Sequence, residues 1–381
     1  MIVVQSSRRS MYDVQRGAEG TGEADTPSRH RPGAESLAAL APGPQSLKIS
    51  SQDDSDLARP RMTAPPPLPR VALGHTDQTI PRVALGCGNF GGVGSSPAFF
   101  GQGLTDDQAA AVMDRAWELG ISHFDTADAY GGGRSERSIG RWIAARGVRP
   151  TLTTKTFNPV EDGGDHGLAP ERVQRRLQQS LERLSVDSVE LFLAHDYDPE
   201  VPLADTFAAF ESLRDAGALL AYGVSNFDAG QLASALDGGS PAAVQNSYSL
   251  LDQGDRRRML ALCEARGLSY LAFSPLAGGW LTGKYRRGEA YPEGSRMSTR
   301  PEPYQRLTGA RTFEALERLE SFAAEQGMSM AGASLAWLLA EPRVAQIVVG
   351  PGRPEHLEPV REALAHPLAP NDFDRLGSML A

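Results

Sequence analysis

Cysteine is nearly missing from this chain: only Cys87 and Cys263 occur among 381 residues. Two thiols are too few for a disulfide framework or a cysteine-built metal site, so a reducing cytoplasm is the expected compartment. Long apolar runs are missing as well, since no stretch approaches the roughly 20 residues that a membrane-crossing helix needs. Positive charge is in deficit, with 38 basic against 47 acidic side chains and a formal net charge of −9. The basic residues are scattered rather than gathered into a stripe, which argues against a nucleic-acid partner and leaves a small molecule as the expected one. The pair Arg8-Arg9 resembles a twin-arginine export signal, but the apolar segment that such a signal requires does not follow it.

What the chain does have is organised in two parts. Residues 1 to about 68 are rich in Ser, Arg, Pro, Gly and Asp and show neither helical nor strand periodicity, so they are expected to form a disordered leader. Met62 stands just before the patterned region and is an alternative start. From residue 69 to 381 one domain is expected. "VALGHTDQTIPRVALG" reads as a β-hairpin, and eight strand-then-helix units follow, their strands carried by "VALGCG", "ISHFD", "TLTTK", "VELFLAH", "LLAYGVS", "AAVQNS", "LSYLAFS" and "VAQIVVG". The helices between them are expected at 106–119, 135–145, 170–184, 203–215, 229–236 and 254–266, then in a stretch ending at Ala340, and at 354–365. Eight such units in series favour a closed (β/α)8 TIM barrel over a doubly wound sheet. "LGCGNFGG" nearly has the glycine spacing of a dinucleotide fingerprint, but the next helix begins too far downstream.

In such a barrel, chemistry collects where the loops after the strands converge. Strand two ends in Asp125 with Tyr130 in the loop beyond, strand three ends in Lys155, and strand four ends in His195. Each alone has a bland reading as a solvated or structural group. Together they form an acid, a phenol, an amine and an imidazole at one mouth. A nearby ammonium stabilises a phenolate and lowers the phenol's pKa. A buried ammonium in turn needs a carboxylate, and Asp125 is the expected partner of Lys155. His195 can donate a hydrogen bond to a substrate oxygen where negative charge develops. This equipment protonates an alkoxide, and the hydride it lacks is what a nicotinamide cofactor provides. The strand ends carry no His/Asp ligand cluster, so no metal is expected.

These residues resemble the aldo-keto reductases, NAD(P)-dependent (β/α)8 barrels, from about Val71 to Arg361. "FDTADAYGGGRSE" is similar to the family's Asp-Thr-Ala-x-x-Tyr-Gly…Ser-Glu segment, "TKT" to its lysine strand and "LAHDYD" to its histidine strand. The resemblance implies a catalytic tetrad of Asp125, Tyr130, Lys155 and His195, with Tyr130 as proton donor. It further implies that Ser225 and Asn226 in "GVSNF", with Gln245, hold the nicotinamide carboxamide, and that Phe273 stacks on the ring. Ser274, Leu276 and Gly278 are implied to line the cofactor, Lys284 and Arg296 to clamp its diphosphate, and Gly88 and Asn89 to sit near the nicotinamide ribose. "VVGPGRPEHLEPV" is similar to the family's terminal phosphate and adenosine segment, implying roles for Gly350, Gly352, Arg353 and His356. Arg353 is the candidate for a 2′-phosphate, with His356 sharing the role, so NADP(H) is preferred and NAD(H) remains possible. His356 and Pro359-Val360 stand where many members have Gln and Glu-Asn, which puts the usual adenine contacts in question.

Phe90, Asp196, Tyr197 and Trp280 are the expected pocket wall, although the three aromatics have an alternative reading as packing residues. The stretch from Leu276 to Thr312 reads as a long structureless loop serving as a lid and part of the cofactor clamp. Three functions stay open: reduction of an aldehyde or ketone, oxidation of a sugar or other cyclic alcohol by the same chemistry in reverse, and a non-catalytic nucleotide-sensing subunit, as in channel-associated members of the family.

Overall fold

Short apolar strands that alternate side-chain direction every residue set the architecture. The computed structural model describes residues 61–380, so the expectation for residues 1–60 lies outside the described residues. Strands β1 (Arg70–Ala72) and β2 (Thr79–Pro81) pair antiparallel as the expected hairpin. Next come β3 (Val83–Gly86), β4 (His123–Asp125), β5 (Thr151–Thr156), β6 (Val189–Ala194), β7 (Leu219–Ser225), β8 (Ala243–Ser247), β9 (Ser269–Phe273) and β10 (Val344–Val349). These eight close into a parallel barrel in chain order, with β10 returning to β3. The fold is the (β/α)8 barrel expected from the alternation.

Around it run α1 (Asp106–Glu118), α2 (Arg134–Arg146), α3 (Pro170–Leu184), α4 (Leu203–Asp215), α5 (Ala229–Gly238), α6 (Met259–Arg266), α7 (Arg296–Thr299), α8 (Ala310–Glu325), α9 (Met330–Ala340), α10 (Glu358–Ala365) and α11 (Pro370–Met379). Local chemistry explains several boundaries. Thr105 and Gln108 form a reciprocal capping box that opens α1, and Asp228 with Gln231 does the same for α5. Pro170 starts α3 where its missing N–H costs nothing. Val173, Leu177 and Leu184 make the buried stripe of α3 at helical spacing. Each such side chain contributes about 1.5–3 kcal/mol when fully buried.

Three expectations need correction. The stretch from Leu276 to Thr312 is not structureless, because it holds 3-10 turns at Ala277–Thr282 and Glu302–Leu307 and the short helix α7. The helical stretch before Ala340 is two helices broken near Gly327, and α11 was not anticipated. Contacts also begin before residue 69: the Met62 N–H donates to the Arg146 carbonyl, and the Trp117 indole donates to the Thr63 carbonyl. Apolar Met62 and Leu68 pack against the core, and the polar composition around them masks this.

Two apolar clusters divide the molecule. The larger fills the space between strands and helices. The smaller closes the bottom of the barrel, where Leu73 and Ile80 of the hairpin segment meet Leu191, Leu193, Ala221, Ala243 and Leu271. A polar layer crosses that floor. His123 is fully buried, bonded through Nε2 to Thr153 Oγ1 and through Nδ1 to Gln346 Nε2, each at 2.8 Å. Gln346 also donates to the Pro81 carbonyl of the hairpin.

Burial, with Arg70 and Lys155 adding to it, pushes His123 from 6.5 down to about 3. Between those values the unfolded chain binds a proton that the folded chain excludes, so stability falls as pH drops through this window. His123→Gln should flatten that part of the curve when urea midpoints are measured from pH 7 to 4. An unchanged slope in the variant would show that His123 is not its source.

Candidate active site

Period-two counting carries interior-facing positions to the top of the barrel. Thr153 and His123 meet inside the floor, so Lys155 and Asp125, two residues on, also face inward. The same parity leads from Leu193 to His195, from Ala221 to Ser225, from Ala243 to Gln245, and from Leu271 to Phe273. Residues far apart in the chain therefore converge at one mouth.

At its centre Lys155 Nζ lies 2.5 Å from Asp125 Oδ1 and 2.8 Å from the Thr126 carbonyl oxygen. Lys155 is fully buried and Asp125 is 3% exposed. The second carboxylate oxygen of Asp125 accepts from Gln245 Nε2 at 2.7 Å. Lys155 also stands 5.1 Å from the centroid of the Tyr130 ring. Its pKa is raised: burial acts against the charge, and Asp125 and Tyr130 more than offset it. The imidazole of His195 meets the Tyr130 ring edge-on at 5.5 Å. Burial, then the Lys155 charge, holds His195 well below the ordinary histidine value, so the ring is neutral near neutral pH. All four expected tetrad residues thus come together.

Exposure grades across them. Lys155 and Asp125 are sealed in, His195 is 8% exposed, and Tyr130 keeps part of its surface open. One expectation about the phenol changes: its pKa is raised, not lowered. Burial is the largest cause and Asp125 adds to it, while Lys155 pulls the other way without prevailing. Asp128, in the same segment but outside the tetrad, is buried and accepts from Thr156 Oγ1 at 2.7 Å; burial and then Glu136 raise it to about 7.

The residues expected to hold a cofactor sit as follows. Gly88 lies against Tyr130, its Cβ direction 3.5 Å from the ring. Asn89 donates to the Pro351 carbonyl at 2.7 Å, tying the loop after β3 to the loop after β10. Asn226 takes a left-handed conformation, and its side-chain amide donates to the His195 carbonyl at 2.8 Å and to Ser225 Oγ at 3.3 Å. Gln245 directs its N–H groups toward Asp125, which leaves the carbonyl end of its amide for any further partner. Phe273, Ser274 and Leu276 are half-buried. Gly278 and Gly279 have φ of 65° and 95°, a left-handed backbone that favours glycine, and the Lys284 side chain packs over Gly279.

Lys284, Arg296, Arg353 and His356 form one electrostatic cluster. Partial burial, then Arg296 and Arg353, lower the Lys284 ammonium below its usual value. Burial, then Arg353 and Lys284, lower His356. The Gly352 N–H donates to His356 Nδ1 at 3.2 Å, while Gly350 is exposed beside Gly86. Arg353 is itself largely exposed, with Glu355 3.7 Å away.

The pocket-wall expectation is half corrected. Phe90 and Trp280 are fully buried core residues, the latter packed among Tyr285, Tyr291 and Phe313. Large aromatics bury wherever neighbouring apolar groups permit, and here they do. Asp196 and Tyr197 remain partly open, with Tyr197 edge-on to Phe227. Two contributors were missed. Thr126 acts through its main-chain oxygen, which no residue type announces, and Asn158 touches His195, with only its place three residues after Lys155 as a signal.

Comparison with known proteins agrees with this geometry. Residues 82–381 match the sequence model of the Aldo/keto reductase family. The chain is 32% identical over 311 residues to the uncharacterized oxidoreductase YrpG of Bacillus subtilis (strain 168), covering 77% of this chain and 90% of the relative. It is 31% identical to the L-glyceraldehyde 3-phosphate reductase of Escherichia coli O157:H7, covering 76% and 86%. The glycerol dehydrogenase of Gluconobacter oxydans shares the fold, with a TM-score of 0.71 at 24% identity, covering 82% of this chain and 95% of that one.

Removing one partner of a buried pair strands the other charge, which costs about 3–5 kcal/mol. Asp125→Ala should therefore lower unfolding free energy by that order in urea titrations. A loss no larger than that of a surface acid would mean that the pair does not hold the barrel mouth.

Proposed function

The chain belongs to the aldo/keto reductase family of oxidoreductases, and from that premise we propose that it reduces an aldehyde or ketone with a nicotinamide cofactor, NADPH in preference to NADH. The observation that carries this reading is the grading of exposure: a buried, charge-paired Lys155 beneath a partly open Tyr130, with a neutral His195 beside it.

The residues present suit a nicotinamide dinucleotide. A segment with left-handed backbone at Ser274, Ala277, Gly278 and Gly279 lies next to a cluster of three cations and an imidazole. Such a donor set suits the phosphates of a dinucleotide. In this reading Ser225, Asn226 and the free carbonyl end of Gln245 hold the carboxamide, and Phe273 faces the ring. Ser274, Leu276, Gly278, Lys284 and Arg296 hold the diphosphate side, Gly88 and Asn89 border the ribose, and the segment from Gly350 to His356 takes the adenosine phosphate. When bound, the nicotinamide supplies the hydride for the carbonyl carbon.

The chain's own residues do the rest. His195 donates a hydrogen bond to the carbonyl oxygen and orients it toward Tyr130. As negative charge grows on that oxygen, the Tyr130 hydroxyl transfers its proton there. Lys155 then stabilises the phenolate left behind, and its charge is kept by Asp125. The raised pKa of Tyr130 keeps the proton on the phenol until the oxygen gains charge. Tyr197 and Asp196 border the substrate, which suits a carbonyl compound carrying both an apolar face and a hydroxyl or cationic group.

Tyr130→Phe removes the transferable proton alone. Carbonyl reduction should fall by about 10²–10⁴-fold, the range of general acid catalysis, with cofactor binding nearly intact. Retained turnover of a nitrobenzaldehyde with NADPH would remove Tyr130 from the mechanism. Arg353→Ala should weaken NADPH binding about tenfold or more, by loss of a charge-assisted bond, and leave NADH binding unchanged. Fluorescence titration with both nucleotides measures the difference, and an unaltered preference would release Arg353 from the 2′-phosphate.

A further inference from the structure

We propose that Asn158 is a positioning residue that holds His195 as its Nε2–H tautomer. Asn158 Nδ2 lies 3.3 Å from His195 Nδ1. With the amide in this orientation its nitrogen donates and Nδ1 accepts, and a neutral imidazole then carries its single proton on Nε2. The inference rests on the reading of His195 as the donor to the substrate oxygen, and adds what makes the correct nitrogen the donor.

The surroundings leave this as the one freedom to be settled. The main chain of His195 is held on both sides: its N–H donates to the Thr156 carbonyl at 2.9 Å, and its carbonyl accepts from Asn226 at 2.8 Å. Asn158 is held as firmly. It is 5% exposed, and its own carbonyl accepts from Arg172 Nη2 at 2.9 Å. Arg172 also donates to Thr156 Oγ1 and to the carbonyls of Gly167 and Asp165, so one guanidinium from α3 shapes the whole loop after β5. Behind it, Asp128 accepts from the same Thr156 hydroxyl. Lys155 from β5 acts on the ring by its charge, Tyr130 from the loop after β4 meets it edge-on, and Asp196 follows it in the chain.

A second observation bears on the same amide. Among the described residues, Asn158 Oδ1 is buried with no hydrogen-bond partner. An unsatisfied buried carbonyl is destabilising and uncommon in native proteins. An apolar side chain would avoid that cost, and the end of the amide that does find a partner is the one that meets His195.

The test is ¹⁵N NMR of the full-length protein labelled at histidine, with the His195 signals assigned by their loss in His195→Gln. Wild type should show the Nε2–H tautomer. Asn158→Asp, nearly isosteric, offers only acceptors. It should reverse the tautomer to Nδ1–H, raise the pKa of His195, and lower kcat for carbonyl reduction at least about tenfold, a part of the ~10²–10⁴-fold that acid-base assistance contributes. Nucleotide affinity should not move. Asn158→Ala should give a mixture of tautomers and a smaller loss. An Nδ1–H tautomer in wild type, or the wild-type tautomer and pH profile retained in Asn158→Asp, overturns the proposal. The NMR readout needs no turnover, so it stays decisive even if Tyr130→Phe were to overturn the reductase reading.

Discussion

The buried ion pair of Lys155 and Asp125 is the constraint on which the top of this barrel depends. A fully buried ammonium is tolerated only with its hydrogen bonds satisfied and a counter-charge in contact. Here Asp125 supplies the charge and the Thr126 carbonyl a second acceptor, while Gln245 engages the carboxylate from the far side of the barrel. Three strands are thereby locked to one another through polar contacts in the interior, above an aliphatic floor crossed by the polar layer of His123, Thr153 and Gln346. The three-residue strand β4 shows how economical this is, since His123 serves the floor and Asp125 the mouth.

The electrostatics of the mouth follow from that pair. A charge held at the bottom of a low-dielectric site acts on every neighbour that water does not reach. It pushes His195 toward neutrality and opposes the burial that raises Tyr130. The other side of the mouth has the opposite character, because Lys284, Arg296 and Arg353 repel one another through a partly open surface. One end of the site therefore holds a single compensated charge and the other a group of cations with Glu355 beside Arg353. In the proposed reading, the first suits proton transfer and the second suits an anionic cofactor.

Much of this was legible in the chain. The eight strands, the hairpin and the helix pattern follow from apolar periodicity, and α3 and α4 fall at the residues expected for them. The convergence of Asp125, Tyr130, Lys155 and His195 was legible because it pairs unusual residue types with strand ends. Phe90 and Trp280 were misread for a physical reason: an aromatic near a mouth serves equally as wall or as core, and only its neighbours decide. The region from Leu276 to Thr312 was misread because Gly, Pro and charged residues form short turns whose order comes from contacts made elsewhere, as when Arg300 reaches the Val93 carbonyl. The direction of the Tyr130 shift depends on how much water surrounds the ring, which composition does not encode.

By itself, then, the amino-acid sequence determined the strand and helix periods, and with them the barrel and the identity of the groups at its mouth. These are local properties, set by side-chain type and by spacing of two or near four residues. Only the tertiary structure decided which partner each group meets. That Gln245 binds Asp125 across 120 positions, that Asn158 addresses His195, and that Thr126 contributes only its backbone are outcomes of barrel closure. Closure brings together residues whose separation along the chain carries no information about their distance in space.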